Sequence, residues 1–166
     1  MRSAPDLAPL VLAACRRRKA MLATAESCTG GMIAAALTDI AGSSDVVERG
    51  FVVYSNDAKH EMLGVPVQLL ERHGAVSEEV ARAMAEGAVA RSRAAIAVSV
   101  TGIAGPGGGS AVKPVGLVHL ACAMDGRATI HRREVFAGDR ARVRSATVVA
   151  ALGLVLEMLE GGGASA

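Results

Sequence analysis

The stretch Ala94–Gly109, AAIAVSVTGIAGPGGG, changes from small and β-branched apolar residues into a loop rich in glycine. Its first seven residues, Ala94–Val100, predict a strand that is buried on both faces, as in the centre of a parallel sheet. The glycines that follow allow the backbone to approach a ligand closely. This stretch therefore predicts a central strand that leads into a flexible or ligand-binding loop, Thr101–Pro114.

Downstream of this loop, Asp125-Gly126 stands between two further strand-like segments and predicts a hairpin. Upstream, segments with helical spacing alternate with short apolar runs, which is typical of parallel strands joined by helices. The hairpin makes the fourth strand antiparallel to the third. The predicted strands are 20–25, 50–55, 94–100, 115–123 and 128–136, and the predicted helices are 7–18, 29–40, 56–63, 65–72, 77–93 and 139–160.

This order of elements predicts an α/β protein, a three-layer α/β/α sandwich around a mixed sheet of about five strands. The expected strand order is 2-1-3-4-5, with strand 4 antiparallel. We expect residues 1–160 to form a single domain and the glycine-rich residues 161–166 to form a flexible tail. Ligands bind such sheets beyond the carboxyl ends of the strands where the order reverses, here between strands one and three.

The composition excludes several classes of function. The net charge is only +2 and aromatic residues make up 2% of the chain, which argues against a nucleic-acid partner. The three cysteines, Cys15, Cys28 and Cys122, are widely spaced, which fits a reducing compartment and suggests neither disulfides nor zinc. The longest uncharged apolar stretch, 145–156, falls short of the roughly 20 residues that span a membrane. Because a signal-peptide pattern is also missing, we expect a cytoplasmic protein with no membrane partner, no metal and no cofactor.

Polar clusters follow each of the first three predicted strands. They are Thr24–Gly31 (TAESCTGG), Tyr54–Lys59 (YSNDAK) and Thr101–Gly109 (TGIAGPGGG). Because the carboxyl ends of parallel strands meet at one edge of a sheet, we expect the three clusters to converge.

The first cluster carries two candidate nucleophiles. Ser27 follows a predicted strand and precedes a helix, where free N–H groups favour an anion or a developing oxyanion. Cys28 is a rival, since a thiolate is favoured in a first helical turn unless the side chain faces the core. Gly30 and Gly31 allow close approach of a ligand or a strand. The alternative is purely structural, with Ser27 or Thr29 capping the helix.

The second cluster supplies a candidate base. Serine is a weak nucleophile until a base removes its proton, and only His60 lies near a strand end, so a Ser-His-Asp arrangement is poorly supported. Lys59 could serve instead if burial keeps it neutral. Tyr54 could hold or relay the proton. The alternatives are a solvated lysine on a helix and a tyrosine ring packed on the sheet.

The third cluster is not a P-loop, because no Lys-Ser or Lys-Thr follows the glycines and the next element is a strand. Two interpretations of the loop stay open: its backbone N–H groups bind a phosphate, or the loop is only a flexible connection. Lys113 and Arg140 could add positive charge to a phosphate site or could be ordinary surface residues.

These residues resemble the CinA C-terminal domain family, to which the bacterial nicotinamide mononucleotide deamidases belong. The similarity covers nearly the whole chain and all three clusters in order. It is carried by TAESCTGG (24–31), DIAGSSDVVERGFVVYSNDAKHEMLGV (39–65), HGAVSEEVARAMAEGA (73–88) and VSVTGIAGPGGGSAVKPVGLVH (98–119).

The resemblance implies an amidohydrolase that converts nicotinamide mononucleotide into nicotinic acid mononucleotide and ammonia. It implies Ser27 as nucleophile, Lys59 as base and Tyr54 as an assisting group. It also implies that the protein forms a homo-oligomer and that its other partner is a small nucleotide, the substrate. It also implies that the backbones of Thr29–Gly31 and Thr101–Gly107 hold the phosphate and ribose, which makes Thr29, Gly30, Gly31, Thr101, Gly102 and Gly105 substrate-binding candidates. From the residues themselves we add Asn56, Lys113 and Arg140 as further candidates for substrate binding.

Two other functions stay open at this point. One is a nucleotide-binding module without catalysis, and the other is an accessory protein of competence or the damage response. Many members of the family carry a further N-terminal domain with pyrophosphatase activity. Because this chain begins about twenty residues before Thr24, we expect it to lack that activity.

Overall fold

The computed structural model of the chain describes residues 2–161 and contains a five-stranded sheet in the order β2-β1-β3-β4-β5. β1 pairs in parallel with both β2 and β3, whereas β4 runs antiparallel to β3 and to β5. This confirms the predicted strand order and the antiparallel fourth strand. The strands are β1 Leu22–Glu26, β2 Val47–Val52, β3 Ile96–Gly102, β4 Leu117–Met124 and β5 Ile130–Val135.

Helices cover both faces of the sheet, which confirms the three-layer architecture. Along β3, Ile96, Val98 and Val100 face one apolar cluster, and Ala97 faces another, because side chains alternate between the two faces of a strand. The first cluster is covered by α1, α2 and α6, the second by α3, α4 and α5. The helices are α1 Ala4–Arg18, α2 Met32–Thr38, α3 Asn56–Leu63, α4 Val67–His73, α5 Glu78–Ala90 and α6 Arg140–Glu160.

Element boundaries near the first polar cluster, Thr24–Gly31, differ from the prediction. The helix predicted over 29–40 begins only at Met32, because Gly30 and Gly31 have φ values of 57° and 107°, outside the helical region. Ser27, Cys28 and Thr29 therefore lie in a turn before α2, not in its first turn.

Two further boundaries change where the polar clusters stand. β2 runs from Val47 to Val52, so Tyr54 lies beyond the strand and not at its last position. Thr101 and Gly102 are the last residues of β3 and not part of the loop, which covers 103–116.

Part of the predicted flexible tail, residues 162–166, lies outside the described residues. Within residues 2–161, none of the helices combines the length and the apolar character needed to cross a bilayer.

Candidate active site

Ser27 and Lys59 are in direct contact at the edge of the sheet. Lys59 Nζ lies 2.9 Å from Ser27 Oγ, although the two residues are 32 positions apart in the chain. Ser27 directly follows β1 and its N–H donates to the carbonyl of Val100 on β3. The side chains are almost completely buried, with 8% of Ser27 and 1% of Lys59 exposed. The topology thus brings the first two polar clusters together.

The other contacts of Lys59 Nζ determine what its amine can do. Nζ also lies 2.9 Å from the carbonyl oxygen of Val53 and 3.2 Å from that of Tyr54. A neutral amine has two N–H donors and one lone pair. When the two carbonyls accept both hydrogens, the lone pair is left for the hydroxyl proton of Ser27. This is the arrangement that a general base requires.

Burial makes the neutral amine accessible near physiological pH. It lowers the pKa of Lys59 from 10.5 to about 8, because the charged form loses its hydration. Burial has the opposite sign for a thiol and raises the pKa of Cys28 from 9.0 to about 11. Cys28 therefore stays a protonated thiol at neutral pH, which makes it a weaker candidate nucleophile than Ser27.

Local structure holds Lys59 in place. The hydroxyl of Ser55 accepts the N–H of Ala58 at 3.0 Å and caps the N-terminus of α3. At the other end of α3, the carbonyl of Leu63 packs so closely on Gly87 of α5 that a Cβ there would collide with it. Lys59 consequently lies on a helix that is fixed at both ends, which holds its side chain toward Ser27.

The carboxylate of Glu26, just before Ser27, organises the turn into α2. It is fully buried and accepts hydrogen bonds from Thr29 Oγ1 at 2.5 Å, Ile33 N at 2.9 Å and Ala34 N at 3.0 Å. A helix N-terminus favours such a negative charge. Glu26 thus supplies the capping that the purely structural alternative expects from Ser27 or Thr29. The position of Glu26, between a strand and the start of a helix, is a sequence pattern from which this role could be predicted.

This capping also determines which N–H groups stay available near Ser27. Glu26 takes those of Ile33 and Ala34, so the helix start does not supply oxyanion donors from these two residues. Within residues 2–161, the N–H groups of Cys28 and Thr29 have no acceptor, whereas that of Gly30 donates to the carbonyl of Ser27. Thr29 has no exposed surface, so the N–H of Cys28 is the candidate oxyanion donor in the turn directly after Ser27.

A cavity of about 290 Å³ opens beside the Ser27–Lys59 pair. Segments that surround it come from all three polar clusters, from 75–76 and from the start of α6. Eight of the residues predicted for the site line it: Ser27, Tyr54, Asn56, Lys59, Thr101, Gly102, Gly105 and Arg140.

Four predicted residues do not line this cavity. Thr29 is fully buried and bonded to Glu26, and Gly30 and Gly31 belong to the same turn. Lys113 donates to the carbonyl of His73 at 2.6 Å, in a separate depression.

Tyr54 and Arg140 meet at the mouth of the cavity. Arg140 Nη2 lies 3.4 Å from the Tyr54 hydroxyl, and Nη1 donates to the carbonyl of Gly105 at 2.9 Å. Tyr54 is 64% exposed, and it contacts Lys59 through its backbone carbonyl. The hydroxyl of Tyr54 therefore has Arg140 as its partner, while the Ser27–Lys59 contact needs no relay.

Arg144 on α6 is a further residue of the site that the sequence did not reveal, and its guanidinium donates to the carbonyls of Cys28 at 3.0 Å and Thr29 at 3.2 Å. No local signal marks it, because its partners stand 116 and 115 positions away in the chain. Among the residues that the structure describes, no cluster of three or more His, Cys, Asp or Glu side chains could hold a metal ion.

Comparison with known proteins identifies relatives over most of the chain. The chain is 55% identical to the nicotinamide-nucleotide amidohydrolase PncC of Escherichia coli K12 over 139 residues, 84% of either protein. It is 54% identical over 142 residues to a CinA-like protein of Mycolicibacterium vanbaalenii, of which it covers only 34%. The chain thus spans about a third of the length of some relatives and most of the length of others.

Solved structures show the same fold. The competence/damage inducible protein CihA from Agrobacterium tumefaciens superposes with a TM-score of 0.92 at 52% identity, covering 96% of this chain and 97% of that one. A CinA superfamily protein from E. coli gives a TM-score of 0.90 at 36% identity, over 94% and 90% of the two chains. The sequence profile of the CinA C-terminal domain matches residues 5–159. The chain therefore belongs to the CinA C-terminal domain family.

Proposed function

We propose that this chain is an amidohydrolase that converts nicotinamide mononucleotide and water into nicotinic acid mononucleotide and ammonia, with Ser27 as nucleophile and Lys59 as base. The observation that carries the proposal is the buried 2.9 Å contact between Lys59 Nζ and Ser27 Oγ. The substrate is suggested by the E. coli relative, which is named a nicotinamide-nucleotide amidohydrolase and matches over most of both chains.

Attack begins with proton transfer. Neutral Lys59 accepts the hydroxyl proton of Ser27 while Ser27 Oγ forms a bond to the carboxamide carbon. The new ammonium is then held by the carbonyls of Val53 and Tyr54, which already accept its other hydrogens. Because these acceptors are in place before the reaction, little reorganisation is needed when the charge appears.

Negative charge develops on the carboxamide oxygen as Ser27 attacks. The N–H of Cys28, which directly follows the nucleophile and lines the cavity, has no acceptor within residues 2–161 and can receive this charge. An N–H of the residue that follows a nucleophile is a common oxyanion donor. Each such donor contributes about 10²–10³ in kcat in enzymes where one has been removed.

The two remaining steps reuse Lys59. Its ammonium returns the proton to the leaving nitrogen, the C–N bond breaks and ammonia departs, which leaves an ester on Ser27 Oγ. Neutral Lys59 then removes a proton from water, and the hydroxide oxygen bonds to the ester carbon. Breaking the ester bond releases the carboxylic acid and returns the proton to Ser27, so the net reaction consumes one water.

The rest of the cavity suits the nucleotide. Arg140 places a guanidinium at the mouth, and guanidinium groups bind phosphate oxygens through paired hydrogen bonds. Asn56 and Thr101 supply further polar groups, and the backbone of Gly105 can approach a ligand closely. We assign phosphate and ribose binding to this side of the cavity.

The deciding measurement is ammonia release from nicotinamide mononucleotide, with and without a metal chelator. The proposal predicts release by the wild type that a chelator does not reduce, and a loss of at least about 10³-fold in Ser27→Ala, as expected when a nucleophile is removed. Ser145→Ala, at an exposed serine on α6, is the matched control and should keep the wild-type rate.

Tight binding of the nucleotide by folded wild type without any ammonia release would instead identify a nucleotide-binding module. Full activity in Ser27→Ala would exclude the serine mechanism, whatever the substrate.

A further inference from the structure

Arg144 holds the turn that follows Ser27 from outside the cavity. Its Nε donates to the carbonyl of Cys28 at 3.0 Å and its Nη2 to the carbonyl of Thr29 at 3.2 Å. Cys28 lines the cavity, whereas Arg144 does not. Arg144 thus reaches the backbone of the turn without being placed to touch a substrate.

Holding these carbonyls also orients N–H groups. In a trans peptide the C=O and the following N–H point in opposite directions. Arg144 binds the carbonyl of Thr29, and the N–H of Gly30 in that peptide unit donates to the carbonyl of Ser27. In the peptide unit that contains the Ser27 carbonyl, the N–H of Cys28 then points away from Gly30. This N–H has no acceptor within residues 2–161.

Other contacts remove the remaining freedom of the turn. The side chain of Thr29 is tied to Glu26, and the carbonyl of Thr29 also accepts the N–H of Met32 at 3.1 Å. The N–H of Gly30 is used by the carbonyl of Ser27. With its neighbours fixed, the peptide between Cys28 and Thr29 depends on Arg144 for the partner of its carbonyl.

We infer that Arg144 is a positioning residue, which fixes the turn at 28–29 so that the N–H of Cys28, at the wall of the cavity, can receive the oxyanion formed by attack of Ser27. This inference rests on the proposed function. A guanidinium suits the role because its planar fork can serve two carbonyls, which the single nitrogen of a lysine does less well. Its charge also polarises the hydrogen-bonded peptides between it and the N–H of Cys28, which strengthens that N–H as a donor.

The inference predicts a loss in turnover with little loss in binding. Removing an oxyanion donor costs about 10²–10³ in kcat, so Arg144→Ala should lower kcat by about 100-fold. Since Arg144 does not line the cavity, KM should change by less than about 3-fold. Arg144→Lys keeps the charge and should recover only part of the loss.

The experiment has two readouts. One is the kcat and KM of wild type, Arg144→Ala and Arg144→Lys for nicotinamide mononucleotide, with and without added methylguanidinium. The other is the rate at which a fluorophosphonate probe labels Ser27, followed by intact mass with Ser27→Ala as blank. Arg142→Ala, an exposed arginine on the same helix, is the matched control and should behave as wild type.

Slower labelling and lower kcat in Arg144→Ala, partly restored by methylguanidinium, are the expected results. Wild-type labelling and kcat in Arg144→Ala, or a loss confined to KM, would overturn the inference. Labelling does not involve the nucleotide, so a wild type that is labelled at Ser27 but releases no ammonia refutes the proposed substrate alone. A wild type that is not labelled refutes the serine nucleophile and this inference with it.

Discussion

At the scale of single residues, the burial of Lys59 removes water from around its amine, and this loss of hydration determines the protonation chemistry of the residue. Only 1% of it is exposed, and its amine has three oxygen atoms as partners. The three oxygen atoms can accept the three hydrogens of an ammonium. In the neutral amine, the two carbonyl oxygens accept the two N–H hydrogens and the lone pair accepts the hydroxyl hydrogen of Ser27. The site can therefore hold either form, as a base that must gain and lose a proton requires.

The rate should accordingly depend on pH through Lys59. Because its pKa in the folded protein is about 8, we expect kcat/KM for deamidation to rise about tenfold per pH unit below pH 8 and to level off above it. A pH–rate profile measures this. Lys59→Arg, which keeps a charge that cannot be lost, should be inactive across the whole range.

The pH dependence of the free energy of unfolding is an independent test of the lowered pKa of Lys59. The unfolded chain keeps the Lys59 proton up to about pH 10.5, whereas the folded chain releases it near pH 8. Between these values the unfolded state binds more protons, so the free energy of unfolding should rise with pH by up to about 1.4 kcal/mol per unit. Lys59→Met should lack this rise, and an identical pH dependence in both proteins would contradict a lowered pKa.

At the scale of elements, α2 depends on one side chain at the end of β1. The helix is seven residues long and has no side-chain cap at Gly31. The carboxylate of Glu26 satisfies Ile33 N, Ala34 N and the hydroxyl of Thr29 in the interior of the protein. The same contacts join the turn that carries Ser27 to the helix behind it, so the stability of α2 and the shape of the site are linked.

Glu26→Ala should therefore destabilise the protein by about 2–4 kcal/mol, since it leaves buried donors without an acceptor. Chemical denaturation measures the change. Glu26→Gln keeps one acceptor oxygen and should cost less. Glu71→Ala removes an exposed glutamate from α4 and should alter the free energy of unfolding by less than about 0.5 kcal/mol. Equal effects of Glu26→Ala and Glu71→Ala would contradict this role.

At the scale of the whole molecule, the packing of α3 on α5 sets the distance between Lys59 and Ser27. Ser27 is attached to the sheet, through Val100 on β3, and Lys59 belongs to α3. The carbonyl of Leu63, at the end of α3, lies where a Cβ of residue 87 would be. Glycine is thus required at position 87 by a close approach between two helices.

Gly87→Ala should push α3 away from α5, cost about 1–3 kcal/mol and lower kcat by about 100-fold, as small misplacements of catalytic groups do. Denaturation and ammonia release measure the two effects. Gly153→Ala on α6 is the matched control, because a Cβ there meets no atom within 4 Å. It should raise stability slightly through helix propensity and leave kcat unchanged. Similar losses in both variants would point to a general sensitivity to alanine.

The order of elements and the sheet topology were predictable from the sequence because they depend on local patterns. Apolar runs, helical spacing and the Asp125-Gly126 turn each act over a few residues, and short right-handed connections then leave few arrangements. The same reasoning placed the polar clusters at one edge, and with them Ser27 and Lys59. Boundaries were less predictable: α2 begins late because Gly30 and Gly31 leave the helical region.

Tertiary structure alone decided which atoms meet. Three features depend on how separate elements pack: the burial of Lys59, the three hydrogen bonds that Glu26 accepts, and the hydrogen bond from Arg144 to the carbonyl of Cys28. A sequence pattern reports the preferences of neighbouring residues, whereas a hydrogen bond between Arg144 and a carbonyl 116 positions away needs the relative placement of α6 and the turn. For this reason the residue types of the site were visible in the sequence, and the residues that hold it in shape were not.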